Sequence, residues 1–283
     1  MTGLERRVGT ALVYGVIVLA AVFAPPPTFV ALVAILAALG YLELRILFRY
    51  RPYQPWLIGL VFTVLFVIAH LARTIWTDGL FPLTIALCAA FGLVAIIVFV
   101  AEAARRRPSP AVAGAMFTLG GALYLGLLFG FLVDVWLADG AATQGYLGSF
   151  PVWLALAFVP TWAADITAYF VGSSIGRRYI APRISPKKTW EGTLAGFAAA
   201  AVVALLIATS AGIKTGPTLL VAALVGPVGF ASDLFESAIK RAAGAKDSGT
   251  MLPGHGGVLD RIDSLIFVAP LVALALALAA RMG

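Results

Sequence analysis

Residues Pro217–Lys240, PTLLVAALVGPVGFASDLFESAIK, and Ile262–Arg281, IDSLIFVAPLVALALALAAR, flank a segment of different character, Arg241–Arg261, RAAGAKDSGTMLPGHGGVLDR. At 1.5 Å per residue, each apolar run is long enough to cross the roughly 30 Å hydrocarbon core of a bilayer as one α-helix. The segment between them is basic and glycine-rich, which suits a surface loop joining two spans. This pairing predicts a helical membrane protein with its polar chemistry gathered at the ends of helices.

The pattern continues upstream. Apolar windows bounded by charge, Gly and Pro give nine spans near 8–24, 28–48, 56–73, 81–104, 112–136, 149–174, 191–211, 217–240 and 262–281. Composition agrees: 61% of the 283 residues are hydrophobic, 12% are charged, and the mean hydropathy is +1.00. A water-soluble surface of this size does not tolerate such values. The expected fold is therefore all-α, a single polytopic integral membrane domain over 1–283. Within it, helices of 1–148 serve as scaffold and lipid access, and 149–283 carries the chemistry. The first run follows Arg6 and Arg7 as a signal peptide would. Its length, its exit at Pro25-Pro26-Pro27 and the run that follows at once favour a retained helix. The single Cys88 lies in an apolar run and has no intrachain disulfide partner, and no Cys/His cluster has zinc-site spacing.

Nine spans place the termini on opposite sides, so every loop is assigned to one side and the positive-inside rule becomes a test. Arg6 and Arg7, then Arg45, Arg49 and Arg51, then Arg105, Arg106 and Arg107 fall on one side. So do Arg177, Arg178, Arg183, Lys187 and Lys188, and finally Lys240, Arg241, Lys246 and Arg261. Of the 20 basic residues only Arg73, Lys214 and Arg281 remain for the other side. The N-terminus is thus expected in the cytoplasm and the C-terminus outside. The net charge of +7 reflects this topology and attraction to anionic lipid headgroups, with no need of a nucleic-acid partner.

Ionisable groups inside spans cost roughly 2.5–3.5 kcal/mol each on insertion scales, so each calls for a partner, a cavity or a task. Asp134, followed by Trp136 and Asp139, reads as a wetted helix end. Glu43 has only Arg45 nearby, two residues on and pointing elsewhere, so structural and functional roles both stay open. Asp233, Glu236, Ser237 and Lys240 share one helical face at i, i+3, i+4 and i+7. Such oxygens suit a hard cation such as Mg²⁺; an internal Glu236–Lys240 pair is the plainer alternative, though it leaves Asp233 unexplained. Gly249 to Gly257 is too rich in Gly and Pro for a helix, and its backbone N–H groups read as a polyphosphate cradle with His255 inside it. Asp260 and Asp263 open the last span, where the helix dipole alone also favours acids. In the sixth span Asp165, Ala168, Tyr169 and Gly172 form a stripe, followed by Gly176, that permits close helix packing. Ser185, Lys187, Lys188 and Thr189 in the next loop can hold phosphates or simply mark topology.

Together these residues resemble the phosphatidate cytidylyltransferase family, whose signature runs Ser-x-x-Lys-Arg, four residues, then Lys-Asp-x-Gly-x-x-x-Pro-Gly-His-Gly-Gly-x-x-Asp-Arg-x-Asp. Ser237, Lys240, Arg241, Lys246, Asp247, Gly249, Pro253, Gly254, His255, Gly256, Gly257, Asp260, Arg261 and Asp263 fill it without a gap. Asp165-x-x-Ala168-Tyr169-x-x-Gly172 and Ser185-Pro186-Lys187-Lys188-Thr189-x-Glu191-Gly192 extend the likeness over roughly Asp165 to Ser264. Ser232 departs from it, since the family more often has Gly there. The resemblance implies a membrane enzyme that joins CTP and phosphatidic acid into CDP-diacylglycerol and pyrophosphate. It implies Asp233 and Asp260 as ligands of a divalent metal, with Asp263 and Glu236 nearby, Mg²⁺ as the cofactor, and room for a monovalent cation such as K⁺. Catalytic roles then fall to Asp233, Asp260, Lys240 and His255, with His255 more a positioner than a base. Substrate contacts fall to Asp165, Tyr169, Ser185, Lys187, Lys188, Thr189, Glu191, Ser237, Arg241, Lys246, Asp247, Gly256, Gly257 and Arg261. A bacterial plasma membrane, a site facing the cytoplasm and a homodimer complete the expectation.

Rival readings make different demands. A polytopic transporter predicts charges near the bilayer midplane and repeat symmetry, whereas these charges gather at helix ends and no repeat is visible. A CDP-alcohol phosphotransferase needs an Asp-Gly-x-x-Ala-Arg series, and a Walker-type site needs Gly-x-x-x-x-Gly-Lys-Ser/Thr; neither occurs. A lipid kinase, or a cytidylyltransferase of archaeal ether lipids, remains among the related enzymes.

Overall fold

The computed structural model describes residues 13, 15–24, 26–48, 55–75, 110–142, 151–252 and 256–282. We label its elements α1 (Pro26–Leu47), α2 (Trp56–Ile75), α3 (Pro110–Ala122), a π-helical turn (Leu123–Leu128), α4 (Phe129–Ala142) and α5 (Val152–Ile175). There follow β1 (Tyr179–Ala181), β2 (Ser185–Thr189), α6 (Trp190–Ser210), α7 (Thr215–Ala242) and α8 (Leu259–Met282). Among the described residues, six stretches are long and apolar enough to span a membrane: Pro27–Leu47, Met116–Ala138, Val152–Ile175, Trp190–Ser210, Thr215–Ala242 and Leu259–Met282. A shorter apolar helix covers Trp56–Leu71. Among the described residues, seven of the nine expected spans have one of these helices, and residues 15–22 of the span at 8–24 are helical as well. The span at 81–104 lies outside the described residues, and that at 8–24 does so in part.

These helices carry apolar side chains on their outer faces as well as inside. Phe170, Leu194, Leu206 and Leu219 are each more than half exposed, which in water would be costly and in lipid is favourable. Pro160, Pro227 and Pro270 sit within α5, α7 and α8. Spanning helices accept such prolines because neighbouring groups satisfy the backbone that the missing N–H frees.

Two compact units emerge. The first comprises Met1–Asp134 with Asp247–Arg261; the second comprises Val135–Lys246 with Ile262–Gly283. In the first, Gly126 of the π-helical turn lies so close to α2 that a Cβ would stand 2.7 Å from the Thr63 carbonyl oxygen. Beside that turn is a buried pair, His70 Nδ1 at 2.7 Å from Asp134 Oδ2, with His70 Nε2 at 3.1 Å from the Leu127 carbonyl oxygen. Asp134 is thus no wetted helix end: it is buried and partnered by a histidine 64 residues away, a pairing that local sequence does not reveal.

In the second unit α5 packs on α6, and α6 on α7. Of the expected stripe, Ala168 and Gly172 form the seam with α6 and Gly176 meets Thr189 at the end of β2, whereas Asp165 and Tyr169 turn to the cavity described below. A Cβ on Gly192 would come within 2.5 Å of the Ala168 carbonyl oxygen and 2.9 Å of Gly172 Cα, so these backbones approach as only glycine allows. The all-α expectation needs one amendment. The basic loop after α5 is an antiparallel hairpin, β1–β2, pairing Tyr179 with Thr189 and Ala181 with Ser185.

Candidate active site

The hairpin is fixed at both ends by side chains that satisfy its backbone. Glu191 Oε2 accepts from the amides of Arg177 and Arg178 at 3.1 and 3.3 Å, and Trp190 N–H donates to the Arg178 carbonyl at 2.8 Å. Thr189 caps α6 by accepting from Gly192 N–H at 3.3 Å, a normal use of a hydroxyl at a helix start. Arg241, from the end of α7, donates through Nε to the Ile184 carbonyl at 3.1 Å and through Nη1 to that of Ala245 at 2.8 Å. Glu191 and Arg241, expected at substrate, here hold the backbone that presents β2, while Thr189 both caps α6 and lines the cavity behind the strand.

Behind β2 lies a cavity of about 360 Å³ within the second unit. Asp165 and Tyr169 enter its wall from α5, Ser185, Lys187 and Lys188 from β2, and Asp233 from α7, with Phe197 and Phe230 supplying apolar surface. With Thr189 at the end of β2, seven expected site residues thus converge on one space. Lys188 Nζ pairs with Asp233 Oδ2 and lies 4.6 Å from the centre of the Phe230 ring. Ser237 Oγ donates to Asp233 Oδ1 at 3.3 Å, across one turn of α7. Asp263 interacts electrostatically with Asp233, Asp165 and Lys240, and Asp165 with Asp233 and Lys188. Glu236, fully buried, pairs with Lys240 four residues on, which is the plainer of the two readings of that face. Ser232 is fully buried too: its hydroxyl donates to the Asp263 carbonyl and accepts from Phe267 N–H at 3.4 Å. The departure at this position is therefore accommodated as a hydrogen bond from α7 into the ladder of α8.

Among the described residues, no three His, Cys, Asp or Glu side chains form a preassembled metal-binding cluster. Yet Asp165, Asp233 and Asp263 share a neighbourhood whose counterions are Lys188 and a Lys240 already paired with Glu236. Hard oxygen donors with excess negative charge fit an oxygen-loving divalent cation.

The glycine-rich turn belongs to the first unit. Its described part is non-helical, with a bridge between Leu252 and Gly256 and a left-handed φ of 82° at Gly256. Pro253, Gly254 and His255 lie outside the described residues, and Lys246, Asp247 and Arg261 are exposed. Four amides in and beside the expected cradle, Gly257 within it and Ser248, Val258 and Leu259 flanking it, are engaged by carboxylates. Ser248 and Gly257 N–H donate to Asp260 Oδ2 at 2.9 and 2.8 Å; Val258 and Leu259 N–H donate to Glu43 Oε1 and Oε2, each at 2.9 Å. Ser248, an unspecified position in the motif, has its hydroxyl between the two carboxylates, 2.9 Å from Glu43 Oε2 and 3.0 Å from Asp260 Oδ2. Only its place beside Gly249, in a turn crowded with glycine, hinted at such use.

Residues 5–279 match the sequence profile of the cytidylyltransferase family. The chain is 31% identical to the phosphatidate cytidylyltransferase of Bacillus subtilis (strain 168), over 98% of this chain and 99% of that protein. It is 33% identical to the phosphatidate cytidylyltransferase of a Synechocystis species, over 94% and 92% of the two chains. A shorter stretch of 119 residues, 41% of this chain and 43% of its relative, is 49% identical to the enzyme of the same name from Brucella abortus.

Proposed function

The chain belongs to the cytidylyltransferase family, and from that premise we propose that it transfers the cytidylyl group of CTP to phosphatidic acid, giving CDP-diacylglycerol and pyrophosphate. The observation that carries this reading is the cavity where Asp165, Tyr169, Ser185, Lys187, Lys188 and Asp233 meet, because it joins three separate motifs of the chain in one space. A phosphate oxygen of the lipid forms a bond to the α-phosphorus of CTP. The bond from that phosphorus to the bridging oxygen breaks, and its electron pair leaves with pyrophosphate. Both reactants are polyanions, so the protein's contribution is positioning and charge compensation.

Lys187 and Lys188 on β2 bring positive charge to the cavity, and Ser185 adds a hydroxyl; these suit phosphate oxygens. Phe197 and Phe230 offer apolar surface to the remainder of an amphiphilic or nucleoside ligand. The lipid phosphate is already anionic near neutral pH, so attack needs no strong general base, and His255 is assigned to positioning. Asp233, Asp260 and Asp263, with Glu236 close by, are the residues we assign to Mg²⁺, with K⁺ as a second cation; such an ion supplies charge neutralisation at the phosphates. Lys240, Ser237, Lys246, Asp247, Gly256, Gly257 and Arg261 complete the substrate-facing set. We further propose nine spans in a bacterial plasma membrane, the N-terminus and site on the cytoplasmic side, and a homodimer.

The test uses purified protein, phosphatidic acid, Mg²⁺ and CTP labelled in the base, with chloroform-extractable label as the readout. Asp233→Asn and Asp260→Asn are each expected to abolish that label while leaving the detergent-solubilised protein folded. Near-normal turnover in either variant removes that residue from the metal assignment, and no product from the unaltered protein defeats the activity itself.

A further inference from the structure

We propose that Glu43, a residue of α1, is the positioning residue of the glycine-rich turn: through Ser248 it sets the orientation of the Asp260 carboxylate used in cytidylyl transfer. The chemistry rests on the function proposed above; the geometry lies wholly within the first unit. Glu43 is 1% exposed, in a helix apolar enough to span a membrane, where a charge without compensation is expensive. Its compensation is three donors at 2.9 Å: Ser248 Oγ–H, Val258 N–H and Leu259 N–H. All three are donors, so an ionised, acceptor-only carboxylate satisfies them. Leu259 N–H is the first amide of α8 and Val258 N–H the one just before it, and no turn of that helix can satisfy either.

Two glycines of the turn support the same conclusion independently. A Cβ on Gly249 would stand 2.6 Å from Glu43 Oε1, and one on Gly257 would collide with both Ser248 Oγ and Glu43 Oε2. These glycines are required by the approach of a carboxylate, so they do not by themselves mark a phosphate site. Ser248 Oγ has one proton and two carboxylate neighbours, Glu43 Oε2 and Asp260 Oδ2. The backbone amides of Ser248 and Gly257 hold the same Asp260 oxygen. Moving Glu43 therefore moves Ser248, whose amide is one of the two that hold Asp260 and whose hydroxyl stands between the two carboxylates.

The experiment compares the full-length protein with Glu43→Gln, Ser248→Ala and the double variant, in mixed micelles containing phosphatidic acid. Glu43→Gln keeps the shape but sets an amide NH₂ or a weaker acceptor against backbone N–H groups. Expected is a loss of roughly 10–100-fold in kcat, the range for residues that orient a ligating group, with KM for phosphatidic acid unchanged. Ser248→Ala should act in the same direction, and the double variant should be no slower than the slower single one, since both cut one chain of contacts. Hydrogen exchange should accelerate at Val258 and Leu259 in Glu43→Gln. Wild-type kcat in folded Glu43→Gln, or losses that multiply in the double variant, would overturn the proposal. If Glu43→Gln does not fold, Ser248→Ala decides, since it leaves both amide bonds to Glu43 intact; wild-type kcat there is the contradicting result. An unaltered protein without activity counts against the function reading alone. Unchanged exchange at Val258 and Leu259 in Glu43→Gln then counts against this one.

Discussion

Lys188 and Asp233 show what a sequence does and does not disclose about a residue. Both identities were legible as parts of motifs, yet 45 positions separate them and nothing local says that they pair. The pair is partly exposed, so its value lies in holding Asp233 beside Asp165 and giving the cavity a cation, with little direct effect on stability. Lys188→Met should lower kcat/KM for CTP by roughly 100-fold, the scale of losing one preorganised donor, with the melting temperature little changed. Steady-state kinetics with a thermal melt checks this, and unaltered kcat/KM would remove Lys188 from the phosphate contacts. Ser232 gives the opposite lesson. Its departure from the family pattern was visible, but its fully buried hydroxyl joins the Asp263 carbonyl and Phe267 N–H, a role set by α8 packing against it. Ser232→Ala lets Phe267 N–H return to its own helix ladder, so stability should change by no more than about 1 kcal/mol, the net worth of one hydrogen bond. A cooperative loss of folding in that variant would contradict this account of the position. Asp134 and Glu43 were both legible as costly acids; their partners, His70 and the turn at Ser248, became visible only when distant segments met.

Helices were the most legible elements, because uninterrupted apolar runs of spanning length have few other outcomes in a bilayer. The hairpin β1–β2 was not legible. Its strands have three and five residues, no apolar alternation, and lysines and a proline where strand propensity is low; backbone satisfaction by Glu191 and Arg241 makes it form. The π-helical turn was hidden for another reason: LYLGLL is as apolar as the helix around it, and only the approach of Gly126 to α2 distinguishes it. The seam of α5 with α6 is legible in its small residues Ala168 and Gly172, and it makes a sharp prediction. Gly192→Val places side-chain atoms against the Ala168 carbonyl and Gly172, so it should destabilise the protein by about 1–3 kcal/mol or more, as overpacking does. A lower melting temperature, with disturbance of the β2 lysines and hence of activity, is the expected outcome. A variant with wild-type melting and turnover would show that the two backbones can part without cost.

At the scale of the whole molecule, composition alone excluded a soluble protein, and the distribution of Lys and Arg predicted an orientation. The described helices agree with the first point, and labelling tests the second. In a Cys88→Ala background, single cysteines replacing exposed Ser210 and Ala242 lie at the two ends of the α6–α7 pair. An impermeant maleimide added to intact cells should label Ser210→Cys and spare Ala242→Cys; the reverse would invert the topology. The division into two units was illegible, because Asp247–Arg261 joins helices far upstream through contacts such as Glu43 with Val258 and Leu259. The claim on which all of this converges is that the group transferred is cytidylyl. CTP labelled with ³²P at the α-phosphate, or in a parallel reaction at the γ-phosphate, supplied to the purified protein with phosphatidic acid and Mg²⁺, tests it most directly. The account predicts α-label in the chloroform phase and γ-label only in aqueous pyrophosphate; γ-label in the lipid would make the protein a kinase and contradict it.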